Sequence, residues 1–147
     1  MQNFIPKNPD YQNLIAKKME GNHFMHFIGF KPIRIQPGLF EGELEIMEHH
    51  QQQFGYLHGG VTSTLADIVA GFAAFTLVEE NKAVVTAEIK IVYLNPGIGK
   101  NALCKGYVIK AGRKLIFSEC EIWMENEGEQ VLVAKGYGTY AVIEMKW

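Results

Sequence analysis

The chain has 147 residues, 48% hydrophobic and 20% charged, enough for one domain with a real core. Its formal net charge of −2 offers no electrostatic ground for nucleic-acid binding. Two cysteines, Cys104 and Cys120, stand apart without a CxxC or a His/Cys cluster. That pattern argues against a zinc site or a disulfide framework and fits a reduced compartment, the cytoplasm.

Taken in order, residues 1–7 contain no signal-peptide apolar core. Asp10 to Glu20 reads as a short amphipathic helix with Tyr11, Leu14, Ile15 and Met19 on one side, started by Asn8-Pro9-Asp10 and stopped by Gly21. His23 and His26 stand three apart, a spacing that lets two imidazoles face one metal. No third ligand accompanies them, so no metal site is assigned and they read as surface histidines. Phe27 to Gln36 reads as extended, Pro37-Gly38 as a turn, and Leu39 to Ile46 as a strand. Met47 to Leu57 is a polar connection in which His49, His50 and Gln51 read as solvated.

That connection opens into the stretch with the most chemistry. A helix is expected from about Gly59 to Glu79. On a helical wheel, Val61, Leu65, Ile68, Val69, Phe72 and Phe75 take one side, and small residues including Ala66, Ala70, Ala73 and Ala74 take the other. A helix without a polar face is buried. Its small side would let another element, a partner helix or a ligand approach the backbone. The run is broken by Asp67 and rich in Ala and Thr, which makes it a poor membrane span. Asp67 is the only charge between His58 and Glu79, and no cation stands one turn to either side of it. Two readings fit: a core carboxylate capped by Ser63 or Thr64, or a reactive one.

Beyond the helix lies a β meander. Lys82 to Leu94 is a strand with Val85, Ala87, Ile89, Ile91 and Tyr93 on one face and Thr86, Glu88, Lys90 and Val92 on the other. Asn95-Pro96-Gly97 ends it. Strands over Ala102–Lys110, Leu115–Met124 and Gln130–Val142 follow, joined by turns at 111–114 and 126–128. The pattern predicts an α+β domain over 1–147, a curved antiparallel sheet wrapped around the long helix, with 1–26 as an N-terminal helical extension.

The N-terminus of a helix carries free backbone N–H groups and the positive end of its dipole, both suited to a developing oxyanion. Gly59 and Gly60 leave that end open to a substrate carbonyl. Asp67 can serve there as nucleophile or as general base on a water, and His58 as a residue that holds the turn or as a base. Yet the nine residues from His58 to Asp67 rise roughly 13 Å along one helix. If Gly59 and Asp67 serve one reacting carbon, two helices must lie antiparallel, each lending its glycines to the other's carboxylate. This predicts a dimer with two sites.

Leu57-His58-Gly59-Gly60 with Asp67 nine residues after the histidine, the run Val85 to Pro96 ending in Tyr93-Leu94-Asn95-Pro96, and the turn Lys110 to Lys114 resemble the hotdog-fold acyl-CoA thioesterases of the PaaI-like and thioesterase-superfamily-member-2 type. The resemblance runs from about Glu41 to Val142. It implies that Gly59 N–H, aided by Gly60, polarises a thioester carbonyl, and that Asp67 of the partner subunit is base or nucleophile. It implies that Gln52 and Thr86 orient the water or thioester. It further implies that Asn95, Gly112, Arg113 and Lys114 meet CoA, that protomers pair and often pair again into tetramers, and that no cofactor is needed beyond the CoA of the substrate. Gly71 departs from the pattern, standing where some relatives carry a hydroxyl. Hydrolysis of an aryl- or medium-chain acyl-CoA to free acid and CoA is the expected function, with Phe54, Tyr56, Phe72 and Phe75 compatible with such acyl groups. Two rivals are a non-catalytic acyl-CoA binding module and a hotdog hydratase or dehydratase built on His58.

Overall fold

The structure, a computed structural model, describes residues 3–145; residues 1–2 and 146–147 of the expected domain lie outside the described residues. Helices α1 (Tyr11–Glu20) and α2 (His23–Ile28) precede β1 (Lys31–Gln36) and β2 (Leu39–Glu45). A 3-10 turn at Glu48–His50 leads to α3 (Gly59–Phe75). Four long strands follow: β3 (Lys82–Tyr93), β4 (Asn101–Ala111), β5 (Leu115–Asn126) and β6 (Glu129–Glu144). They form one six-stranded sheet in the order β1-β2-β4-β5-β6-β3, every pair antiparallel. The sheet wraps α3, which is the hotdog arrangement that the resemblance implies.

The alternation of β4 and β5 does the wrapping. Ala102, Cys104 and Val108 of β4, and Ile116, Cys120, Ile122 and Met124 of β5, turn inward and are buried. They meet the small side of α3, where Ala66, Ala70, Ala73 and Ala74 are buried. At Gly106 the contact is backbone to backbone: a Cβ there would stand 2.1 Å from the Val69 carbonyl oxygen. The alanine side is thus consumed by the protomer's own sheet, and no partner helix can use it. The bulkier residues Val61, Ile68 and Phe72 are left half-buried on the outer side.

Two expected boundaries shift, and one strand turns its faces. The extended reading of Phe27 to Gln36 gives way to helix at its start. Asn22 caps α2 by accepting from Met25 N (3.1 Å), and Gly29, at φ +79°, closes it so that β1 begins at Lys31. The central helix stops at Phe75 rather than Glu79, because Thr76 turns its hydroxyl to Ala73 O (2.7 Å) and accepts from Gly38 N (2.7 Å), fastening the helix end to the β1–β2 turn. In β3, a bulge between Thr86 and Glu88 inserts Ala87 as an extra residue. The bulge reverses the expected faces: Thr86 turns to the core side that Ile89 and Ile91 occupy farther along, and Val85 faces out.

Candidate active site

The α3 mouth is built by its own sequence. His58 is extended at φ −63° and ψ 134°, and its Nδ1 accepts from Gly60 N at 2.8 Å, so the imidazole caps the helix. Gly60 N–H is thereby engaged. Gly59 N–H has no hydrogen-bond partner among the described residues. Of the two expected oxyanion donors, Gly59 is the one left open. Tyr93 closes the mouth from β3: its hydroxyl donates to Gly59 O at 3.0 Å and meets Ser63 Oγ at 2.7 Å, while Ser63 also donates to Gly59 O at 2.9 Å. Sequence reasoning assigned Tyr93 no role here; its place in the Tyr93-Leu94-Asn95-Pro96 strand end was the available signal.

The polar connection is held from beneath. His50, expected to be solvated, is buried. Its Nδ1 accepts from Met47 N (3.0 Å) and its carbonyl accepts from His58 N (2.9 Å), tying loop to mouth. Burial, then the neighbouring His49, holds the His50 imidazole below its ordinary acidity range. Gln52 accepts from Phe54 N and lines an open groove of about 430 Å³ together with Tyr56, Gly59, Tyr93 and Asn95. Asn95 is fixed there by donation to Leu132 O (2.9 Å). Gly97 O accepts from Leu57 N (2.8 Å), so the turn after β3 is pinned to the same mouth.

Asp67 lies elsewhere. It is half-buried in a second pocket of about 320 Å³. Thr86 donates to its Oδ1 at 2.8 Å, and Tyr140 approaches the same oxygen at 3.4 Å and the Asp67 carbonyl at 3.5 Å. Oδ2 receives no hydrogen bond among the described residues. Ser63 and Thr64 do not cap the carboxylate: Ser63 is committed to Gly59 O. Tyr140 is a residue that sequence reasoning missed. Gly71 makes room for it, since a Cβ there would come within 3.2 Å of the Tyr140 ring, and Gly138 does so more severely at 2.4 Å. The departure at Gly71 thus admits a hydroxyl from β6. Burial, followed by the Asp67 charge, pushes the Tyr140 phenol well above its usual range, so it stays a donor.

The Gly59 mouth and Asp67 do not meet within one protomer. Eight residues of α3 separate Gly59 from Asp67, about 12 Å of rise. The residues expected to meet CoA divide the same way. Asn95 sits beside Val133, while Lys114 O accepts from Val142 N at the other end of β6. Nine residues of strand between them span about 30 Å. Gly112 needs its missing side chain, because a Cβ would stand 2.6 Å from Leu115 O; Arg113 and Lys114 are exposed. One end of the molecule therefore carries Gln52, His58, Gly59, Gly60 and Asn95, and the other carries Asp67, Thr86, Gly112, Arg113 and Lys114.

The profile described as "Thioesterase superfamily" matches residues 54–131, more than half of the chain. The chain belongs to the thioesterase superfamily. Acyl-coenzyme A thioesterase 13 of Homo sapiens is 30% identical over 104 residues, covering 70% of this chain and 72% of that protein. A Caenorhabditis elegans relative is 29% identical over 113 residues, which is 76% of this chain and 65% of its own length. A crystal structure of a thioesterase family protein from Silicibacter pomeroyi superposes with a TM-score of 0.90 at 30% identity, over 91% of this chain and 98% of that one. The matched segment holds the helix mouth, Asp67 and Thr86, and thioester hydrolysis is the chemistry of the superfamily.

Proposed function

We propose that this chain hydrolyses an aryl- or medium-chain acyl-CoA to free acid and CoA, in the cytoplasm, at sites shared between two protomers. The observation that carries this reading is Asp67, a carboxylate with one oxygen held by Thr86 and the other free, facing a pocket walled by Phe72 and Phe75. The thioester carbonyl accepts from Gly59 N–H at the positive end of α3, which stabilises the oxyanion as it forms. Asp67 of the partner subunit drives attack on the carbonyl carbon, as base on a water or as the nucleophile itself. Gln52 orients the reacting group, His58 keeps the mouth in shape, and Asn95 with the partner's Gly112, Arg113 and Lys114 receives the CoA arm.

The pairing has a geometric candidate. Strand β3 is a sheet edge, and Val85, Val92, Tyr93 and Leu94 along it are about half exposed. α3 runs against it, with Gly59 at the Tyr93 end and Asp67 at the Thr86 end. A twofold axis near Ile89 and Lys90 sets Thr86 of one protomer beside Tyr93 of the other and completes two sites at once. Two such dimers pairing again would make the tetramer.

The test is release of free CoA thiol across a panel of acyl-CoAs by the protein and by Asp67→Asn. Turnover that falls at least a hundredfold in the variant is expected. Unchanged turnover in Asp67→Asn would sink the mechanism, and saturable binding without turnover of any ester would make the chain a binding module.

A further inference from the structure

The Asp67 pocket contains two polar groups that thioester cleavage does not use. Lys18 and Asn22, from the last turn of α1 and the α1–α2 junction, line the same pocket as Asp67. Asn22 spends its Oδ1 on Met25 N (3.1 Å), so its NH2 is the part free to bind a ligand. Lys18 forms no ion pair among the described residues, with Asp67 or any other carboxylate. Between these donors and Asp67 the walls are apolar: Ile68, Phe72, Phe75, Ala83, Val84 and Ile143.

Among the described residues, the pocket therefore pairs an apolar interior with two donors and, apart from Asp67 and its partners Thr86 and Tyr140, no other polar side chain. A plain alkyl or aryl chain satisfies neither donor. A chain ending in a carboxylate satisfies both, with an ammonium and an amide N–H to a charged acceptor. Resting on the hydrolase reading above, we propose that Lys18 and Asn22 are specificity-determining residues that select acyl groups bearing a carboxylate at the end distal to the thioester. When the pocket is empty, the Lys18 ammonium reaches water along its flexible stem.

The experiment compares suberyl-CoA with octanoyl-CoA, which share a chain length and differ in the terminal carboxylate. The expected result is a higher kcat/KM for suberyl-CoA. Lys18→Met, which keeps the stem and removes the charge, lowers the suberyl-to-octanoyl ratio about three- to fivefold, a modest factor because Lys18 is exposed. Asn22→Asp keeps the α2 cap, replaces the donor with a like charge, and lowers the ratio again. A ratio that stays put in both variants overturns the proposal. So does an equal fall on both esters, which would assign Lys18 to the CoA portion common to them. Kd values for the thioether analogues of the two esters separate this from the hydrolase reading. If neither ester is cleaved, the reading of hydrolysis fails, and the Kd ratio in the protein and Lys18→Met still decides the subsite.

Discussion

At the scale of single residues, Asp67 is defined by its unequal oxygens. Thr86 and Tyr140 both address Oδ1, and Thr86 at 2.8 Å is the closer. The donation fixes the carboxylate plane and leaves Oδ2 unbonded among the described residues, the oxygen that the proposed mechanism uses. Thr86→Val keeps the branched shape and deletes the donor. A hydrogen bond to a charged group is worth about 1.5–3 kcal/mol. At this exposed position the lower end applies, so kcat is expected to fall about tenfold with KM little changed. Steady-state kinetics on one acyl-CoA checks this, and a rise in KM alone would show that Thr86 binds substrate instead. The thiol-release assay is open to such work, since Cys104 and Cys120 are both buried and burial pushes the Cys120 thiol up to about 12.

Among the elements, the loop from Met47 to Leu57 matters most, because it sets where α3 begins. Its anchor is His50, buried and neutral, with Nδ1 accepting from Met47 N. The folded state holds this imidazole below its ordinary value of 6.5, so the unfolded chain takes up the proton more readily. The stability His50 contributes is therefore intact above about pH 6.5 and is lost as the pH falls below it toward the folded-state value. Calorimetry between pH 7.5 and 5 is expected to show Tm falling with acid. The fall should be shallower in His50→Asn, whose amide oxygen can replace Nδ1 as acceptor. Equal slopes in the two proteins would place the acid sensitivity elsewhere.

For the whole molecule, the proposed site joins two ends about 30 Å apart along β6, and the question is whether two chains supply them. Subunit mixing answers it. Gly59→Pro removes the open N–H while suiting the first position of a helix, and His58 already has the extended backbone that a residue before proline adopts. Gly59→Pro and Asp67→Asn are each expected to be inactive alone. Unfolded and refolded together, half of the dimers are mixed and each has one intact site, so about a quarter of the wild-type activity returns. No recovery in a mixture shown to contain mixed dimers would confine each site to one chain.

Much of this protein is determined by its sequence alone. The glycine pair after His58, the single acid in an apolar run and the alternating strands from Lys82 onward specify a wrapped helix with an open N-terminal mouth, because burial of apolar faces at periods of 3.6 and 2 leaves few other arrangements. The spacing of Gly59 and Asp67 keeps the two apart on one helix, since helical rise is a fixed quantity, and so carries the proposal of a two-chain site. What only the tertiary structure decided are contacts between residues distant in the chain. Thr86 reaches Asp67 because a bulge at Ala87 reverses the local alternation, and Tyr140 reaches it because Gly71 and Gly138 clear space for its ring. The alanine side of α3 met Gly106 rather than a partner helix, and His50 went inside because the loop folds back beneath the helix mouth. Strand register, bulges and close backbone approach depend on both partners at once, and local periodicity records only one of them.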